Sequence, residues 1–162
     1  MNSIIIQKNF LDSQIVNEDY FAVKVVYDPS VESTKYVGFY FGDTDLLEFA
    51  IDRENNIVKR FQLVLCNHFE ILDSEFLSTK IVEEGGISID LPQHNECNDF
   101  NVRVYKNAVN IKFSCEPVQK TIKWGKVLYG ITGKNDLAVI SVIEMSEKEI
   151  VHAVEELKLG VE

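Results

Sequence analysis

Cysteine and histidine side chains occur in two short groups that could take part in chemistry. Cys66 and His68 are separated by one residue, and His94 and Cys97 are separated by two. Four such side chains could hold zinc, although a single intervening residue is a poor spacing for a zinc site. An imidazole could instead activate the thiol of Cys97 as a nucleophile. We favour neither chemistry, because Cys66 ends an apolar run and is best explained as a small buried residue. We therefore expect no metal and no other cofactor.

Carboxylates and glycines give no stronger catalytic signal. Asp43 and Asp45 alternate as calcium ligands do, but the glycine and the later ligands of a calcium loop do not follow. The segment GITGK at residues 130–134 lacks the strand-to-helix context of a phosphate-binding loop, so we predict a hairpin turn there. The Gly-x-Ser-x-Gly signature of a hydrolase nucleophile is absent from the sequence. The sequence therefore predicts a protein that is not an enzyme.

The segment LLEFAIDRENNIVKRFQLVLC at residues 46–66 predicts a β-hairpin with a polar tip. Apolar residues alternate with polar ones on both sides of the tip, and Asn55 and Asn56 tolerate the left-handed backbone of a tight connection. The acidic residues on and near this hairpin predict a compact surface for binding a partner, although an ordinary solvated sheet face is the simpler explanation. These residues are Asp43, Asp45, Glu48, Asp52 and Glu54.

Two tyrosines are candidates for the apolar part of the same surface. Tyr36 and Tyr40 lie on the more polar side of the preceding strand, where they alternate with Val37, Phe39 and Phe41. A few aromatic side chains often supply most of the binding energy of a protein interface. We therefore predict that Tyr36 and Tyr40 contact the partner, with cross-strand packing as the alternative role.

Composition and charge narrow the class of protein. The 162 residues are 46% hydrophobic, which suits one globular domain spanning residues 1–162. No apolar run is long enough to cross a membrane and the N-terminus does not resemble a signal peptide, so we expect a cytoplasmic protein. The formal net charge of −10 disfavours nucleic acid and anionic membranes as partners and favours a cationic one.

The charge is unevenly distributed along the chain. Residues 101–145 contain seven bases and three acids, whereas acids outnumber bases in each of the segments 1–55, 56–100 and 146–162. Two explanations remain open at this point. Neighbouring strands of opposite charge could offset one another, or the protein could present an acidic face to a basic partner.

Period-two alternation predicts that most of the chain forms strands. We expect strands at residues 21–27, 36–41 and 87–91, hairpins at 46–66, 100–115 and 127–143, and a short helix at 73–84. A helix at the C-terminus is indicated by Ser146 as its N-cap and by Glu149 three residues later. Its predicted apolar stripe consists of Ile150, Val151, Val154 and Leu157, and Gly160 suits its end.

These elements predict an α+β, β-rich fold. Hairpins give an antiparallel sheet, which is either strongly curved or divided into two packed sheets, and the C-terminal helix packs on it. Burial of the four stripe residues would contribute roughly 6 to 12 kcal/mol before the entropy cost, at about 1.5 to 3 kcal/mol for each side chain.

Two stretches of the sequence resemble a known class of proteins. They are YVGFYFGDTDLLEFAIDRENNIVKRFQLVL at residues 36–65 and LYGITGKNDLAVISVIEMSEKEI at residues 128–150. Their style resembles that of the immunity proteins of bacterial polymorphic-toxin and contact-dependent inhibition systems. The resemblance implies a non-enzymatic antidote that binds one cognate toxin domain, often a basic nuclease, and blocks its active site. It identifies no individual contact residue, because these families share no fixed contact set.

We therefore expect an immunity protein whose partner is a protein toxin with a basic surface. The main alternative is a β-structure that holds a small ligand, as curved sheets under a helix can do. The predicted inner faces are filled by Phe, Leu, Val and Ile, which favours a packed core over an internal cavity. The sequence does not predict the oligomeric state.

Overall fold

The computed structural model describes residues 6–7, 11–41, 45–77, 83–90, 100–112 and 114–160. It confirms the predicted α+β, β-rich fold, with two large sheets, one small two-stranded sheet and a C-terminal helix. The strands within these residues are β1 (Ile6–Gln7), β2 (Gln14–Ile15), β3 (Val23–Val26), β4 (Thr34–Phe41), β5 (Asp45–Asp52), β6 (Val58–Leu65), β7 (Phe69–Ile71), β8 (Glu83–Glu84), β9 (Gly86–Ile87), β10 (Asn101–Val104), β11 (Val109–Lys112), β12 (Val118–Trp124), β13 (Val127–Thr132) and β14 (Leu137–Val142). The helix is α1 (Glu147–Leu159), and β1 pairs only with β9 among the described residues.

The five-stranded sheet has the order β2-β3-β6-β5-β4, and all of its strand pairs are antiparallel. The predicted hairpin is confirmed as β5 and β6, and Asn56 in its tip adopts the expected left-handed backbone, with φ of 60°. Two register shifts interrupt the pairing of β5 with β6. The shift between Leu46 and Leu47 lies beside Leu65, which is exposed although the alternation predicts it on the buried face.

Lys59 is the one charged residue that the alternation places on the apolar side of β6, and the structure explains how it is tolerated. Its side chain is buried, and its ammonium group donates hydrogen bonds to Glu32 O at 2.8 Å and to Thr34 Oγ1 at 2.7 Å. The Asp28 carboxylate lies 3.9 Å away. The buried charge is therefore satisfied by polar groups at the end of the sheet, as burial of a charge requires.

The seven-stranded sheet has the order β7-β10-β11-β14-β13-β12-β8. The predicted hairpins at residues 100–115 and 127–143 are confirmed as β10–β11 and β13–β14. The strand β12 and the two edge strands are not in the sequence prediction. The edge strands β7 and β8 pair in parallel with their neighbours, so the sheet is mixed at its borders.

The two sheets pack against each other through their apolar faces, and one cluster of buried side chains contains residues of both. Aromatic rings join the sheets at several points. Tyr27 stacks on Trp124 with ring centroids 3.6 Å apart, and Phe61 meets Tyr129 edge-on at 6.3 Å. Of the two predicted arrangements, a pair of packed sheets is therefore the correct one.

Helix α1 begins as predicted, because Ser146 is its N-cap and Ser146 Oγ accepts a hydrogen bond from the Glu149 amide at 3.2 Å. Its buried stripe is rotated from the predicted one. Ala153 and Leu157 are the buried residues, whereas Val151 is exposed. Gly160 ends the helix but keeps a right-handed backbone, with φ of −69°.

The predicted helix at residues 73–84 is wrong in the part that can be compared. Residues 73–77 form bends and irregular backbone, and Glu83 and Glu84 form the edge strand β8; residues 78–82 lie outside the described residues. Phe76 packs instead with Tyr105 on the outer side of the seven-stranded sheet. The helical spacing of Phe76 and Leu77 with Ile81 therefore does not produce a helix at residues 73–77. The strand predicted at 87–91 is reduced to β9, and Leu91 is not among the described residues.

The tyrosine pair in the core predicts a loss of stability in alkali. Burial raises the pKa of both Tyr27 and Tyr129 well above the ordinary value, and their hydroxyls share a 2.7 Å hydrogen bond. In the unfolded chain these phenols ionise near the ordinary tyrosine pKa of about 10, whereas in the folded chain they stay protonated at that pH. Their contribution to the free energy of unfolding is therefore complete below about pH 10 and decreases above it. We expect the urea-derived free energy of unfolding to fall more steeply above about pH 10 than in a Tyr27→Phe/Tyr129→Phe variant. Equal slopes would contradict this prediction.

Candidate partner-binding surface

The outer face of the five-stranded sheet is the surface on which the structure places most of the predicted contact residues. Alternation directs Val37, Phe39 and Phe41 of β4 into the core and leaves Tyr36 and Tyr40 outside. These two tyrosine residues are 58% and 71% exposed. β4 pairs with β5 along its whole length, so the tyrosines lie beside the hairpin, as predicted.

Tyr36 is held in place by an arginine that the sequence prediction did not include. Arg60 Nη2 donates a 2.8 Å hydrogen bond to the Tyr36 hydroxyl, and the guanidinium carbon lies 5.6 Å from the centre of the ring. Ala50 lies between these two residues in the strand register and is buried although it faces outward. The Tyr36 ring is therefore fixed before any partner arrives, which reduces the entropy cost of binding.

Tyr40 lies over a glycine on its own strand. A Cβ atom at Gly38 would be 3.1 Å from Tyr40 Cε2 and 3.3 Å from Leu46 Cδ1, which is closer than ordinary packing. The absence of a side chain at Gly38 thus provides the space in which the Tyr40 ring lies. The exposed Tyr40 ring and the half-buried Leu46 side chain lie side by side at this end of the face.

Glu48 and the hairpin tip carry the described carboxylates of this surface. Glu48 is half-buried on the outer face of β5, and its Oε1 atom accepts a 2.8 Å hydrogen bond from Gln62 Nε2. At the tip, Asp52 Oδ1 accepts hydrogen bonds from the backbone amides of Glu54 at 2.8 Å and Asn55 at 3.2 Å. Asp52 therefore shapes the turn, whereas the side chain of Glu54 is exposed. None of these three carboxylates forms a salt bridge within the described residues.

Asp45 does not belong to this surface, which corrects the prediction for that residue. Its side chain is only 3% exposed, and it accepts hydrogen bonds from the Asn67 amide at 2.7 Å and from His68 Nδ1 at 2.9 Å. Asp45 and Asp52 stand at opposite ends of an eight-residue strand, so the acidic residues are spread along the hairpin and are not compact. Asp43 lies outside the described residues.

The uneven charge of the sequence corresponds to the division between the sheets. Residues 101–145, the basic segment, form β10 to β14 of the seven-stranded sheet. Residues 14–65, which form the whole five-stranded sheet, contain nine acids and five bases. Acidic and basic segments therefore lie largely in different layers of the protein, and the five-stranded sheet belongs to the acidic layer.

Within the described residues, the cysteine and histidine side chains do not come together as a reactive site. Burial raises the pKa of the Cys66 thiol to about 12, so it is a protonated thiol near neutral pH, and its Sγ atom contacts the His68 carbonyl at 3.4 Å. His94 and Cys97 lie outside the described residues. Among the residues that the structure describes, no three His, Cys, Asp or Glu side chains come together as metal ligands would.

A groove of about 650 Å³ lies between α1, the end of β6 and residues 19–22, and no sequence pattern predicts it. Its lining is mainly apolar, with Leu65 and Leu159 exposed, and Asp19 and Glu156 add carboxylates. Tyr20 stands at its rim with the unusual φ of 76°, and Glu156 Oε2 accepts a hydrogen bond from its amide at 3.0 Å. A bulky residue rarely adopts this left-handed backbone without such support.

Comparison with known proteins adds no identification. No protein-family model matches the chain, and no curated protein is significantly similar to it.

Within the described part of the chain, no helix has both the length and the apolar character needed to cross a membrane.

Because the Asp45 carboxylate is buried and hydrogen-bonded, its removal should lower stability, whereas removal of an exposed carboxylate should not. Replacement Asp45→Ala leaves the Asn67 amide without its acceptor, which should lower the free energy of unfolding by about 1 to 3 kcal/mol. The control Glu54→Ala removes an exposed carboxylate at the other end of β5 and should change stability by less than about 0.5 kcal/mol. Urea unfolding of the two variants measures the difference, and equal midpoints would contradict the assigned role of Asp45.

Proposed function

We propose that the chain is an immunity protein that binds a toxin domain with a basic surface and blocks it without catalysis. The observation that carries this proposal is the outer face of the five-stranded sheet, on which Tyr36 and Tyr40 are exposed beside Glu48. These side chains stand on regular strands packed on a core, which keeps them in fixed positions. The resemblance of residues 36–65 to immunity proteins points in the same direction.

The physical basis of the proposal divides the work between charge and aromatic area. Carboxylates of the acidic layer attract a cationic partner over distances of about 10 Å at moderate salt, which mainly raises the association rate. Aromatic side chains that become buried in the complex mainly lower the dissociation rate. A toxin groove that binds phosphates would present the complementary positive surface.

The probe for this proposal is the protein encoded directly upstream, because proteins of the class that the chain resembles are normally encoded directly after their toxins. If the proposal is correct, this protein is toxic when expressed alone and harmless when expressed with the chain. The two purified proteins should also form a complex. An upstream protein that is neither toxic nor bound would contradict the proposal.

Substitutions should separate the two contributions in binding kinetics with that protein. Replacement of Glu48 and Glu54 by Gln should slow association by about threefold to tenfold at low salt and reduce its salt dependence. A matched control replaces the exposed Glu147 and Glu155 of α1 by Gln, which changes the net charge equally but away from the face. Equal association rates for the two charge variants would remove this face from the proposal.

Replacement Tyr40→Ala should mainly raise the dissociation rate, by about tenfold or more.

A small-ligand-binding protein remains the second candidate, and the groove beside α1 is the observation that favours it. The groove has the volume of a typical ligand site and a mainly apolar lining with two carboxylates. The space between the sheets is instead filled by large side chains, including Trp124, Tyr129 and Phe49. Saturable binding of a neutral apolar dye that is abolished by Leu65→Asp, together with no response to the upstream protein, would favour this second function.

A further inference from the structure

Strand β4 forms one border of the five-stranded sheet, and no described strand pairs with its outer side. It is eight residues long, pairs with β5 without a register shift and contains no proline. Long regular edges readily accept another strand, and proteins usually block them with prolines, bulges or charges. The only charged residue of β4 is Lys35, which lies near one end.

The hydrogen-bond pattern shows which backbone groups of β4 point away from the sheet. The Arg53 amide donates to Ser33 O at 2.8 Å, which makes residues 33 and 53 a hydrogen-bonded pair. In an antiparallel ladder such pairs recur at every second residue, so Lys35, Val37 and Phe39 bond to β5. The amide and carbonyl groups of Tyr36, Gly38 and Tyr40 therefore face the open edge.

A second, independent hydrogen bond gives the same assignment. The Tyr27 amide donates to Lys59 O at 2.8 Å, which makes residues 27 and 59 a hydrogen-bonded pair. Because such pairs recur at every second residue, Phe61 and Leu63 of β6 bond to β3. Gln62 lies between them and therefore bonds to Glu48 of β5. The odd-numbered residues of β5 must then bond to β4. Thr34 also faces the open edge, but Arg53 Nε already donates to its carbonyl at 3.0 Å.

We propose that two copies of this chain associate through their β4 edges, as an antiparallel pair with Gly38 opposite the partner's Gly38 on a two-fold axis. The outward-facing residues are symmetric about that glycine, so Tyr36 pairs with the partner's Tyr40 and the reverse pair forms as well. Three residues from each copy then exchange backbone hydrogen bonds, and the carbonyl of Thr34 is not needed. The result is a continuous ten-stranded sheet, made of five strands from each copy.

Charge and shape favour a second copy as the occupant of this edge. Although the protein carries a net charge of −10, β4 contains no acidic residue, so its approach to another β4 brings no carboxylates into opposition. Lys35 would face the partner's Phe41 and not another base. The outer face stays accessible and presents the tyrosines of both copies as two cross-strand pairs, one on each side of the central glycines. This inference does not depend on the proposed function.

Light scattering and sedimentation of the full chain test the association. Because a strand pair is a small interface, the dimer should be weak, and the mass should rise from 18.5 kDa toward twice that value as the concentration increases from about 1 μM to about 1 mM. A wild-type protein that keeps the mass of one chain at the highest concentration overturns the proposal.

Paired substitutions test the register. Tyr36→Lys with Tyr40→Lys places ammonium groups opposite each other across the axis and should weaken dimerisation at least tenfold. Tyr36→Lys with Tyr40→Glu is the matched control, since the same positions then carry opposite charges across the axis, and it should dimerise at least tenfold more tightly than the first variant. Both positions are exposed, and circular dichroism with thermal melting verifies that both variants fold. A doubly lysine-substituted protein that dimerises like the wild type overturns the interface, and two variants that are equally monomeric overturn the register.

Discussion

The packing of the two sheets through their apolar faces is the constraint on which the other features of this protein depend. Side chains alternate between the faces of a strand, so each residue that enters the core sends its neighbours outward. Phe39, Phe49 and Phe61 are buried between the sheets, and this fixes Tyr40, Glu48 and Gln62 on the opposite face. The candidate binding surface is thus a direct consequence of how the core is built.

The same constraint gives the surface its rigidity and its charge. The Tyr27–Trp124 stack and the contact of Phe61 with Tyr129 join the layers. At one end of the five-stranded sheet, the buried Lys59 ammonium group donates hydrogen bonds to Glu32 O and Thr34 Oγ1. The basic segment 101–145 of the other layer holds seven of the 16 bases. Within the five-stranded sheet Lys24 pairs with Glu18 and Lys59 lies near Asp28, but no described salt bridge reaches the carboxylates of the outer face and the hairpin tip. Glu48, Asp52 and Glu54 keep polar or solvent partners, so charge remains available to act on a cationic protein.

Local alternation was sufficient to predict much of this fold. The hairpins β5–β6, β10–β11 and β13–β14 follow from period-two patterns, and the start of α1 follows from its capping residues. Strand β12 was missed because Lys120 and Lys123 interrupt its apolar pattern. Parallel edge strands such as β8 are too short to produce a pattern, and their pairing depends on distant residues.

The candidate surface was predictable only in part, for a related reason. Alternation correctly placed Tyr36 and Tyr40 outside, but it could not show that a bulge-containing hairpin leaves Leu65 exposed. The burial of Asp45 depends on Asn67 and His68, which approach it only in the folded chain. The groove beside α1 likewise combines segments that are far apart in the sequence, and no local pattern signals it.

Both the exposed outer face and the proposed dimer require β4 to be the open edge of a rigid sheet, and amide hydrogen exchange measured by NMR tests this most directly. In dilute solution, where the chain is monomeric, the amides of Lys35, Val37 and Phe39 should exchange slowly because they bond to β5. Those of Tyr36, Gly38 and Tyr40 should exchange much faster, and they should become protected as the concentration rises. Equal protection of all six amides in dilute solution would contradict the account, because the edge would then be covered within a single chain.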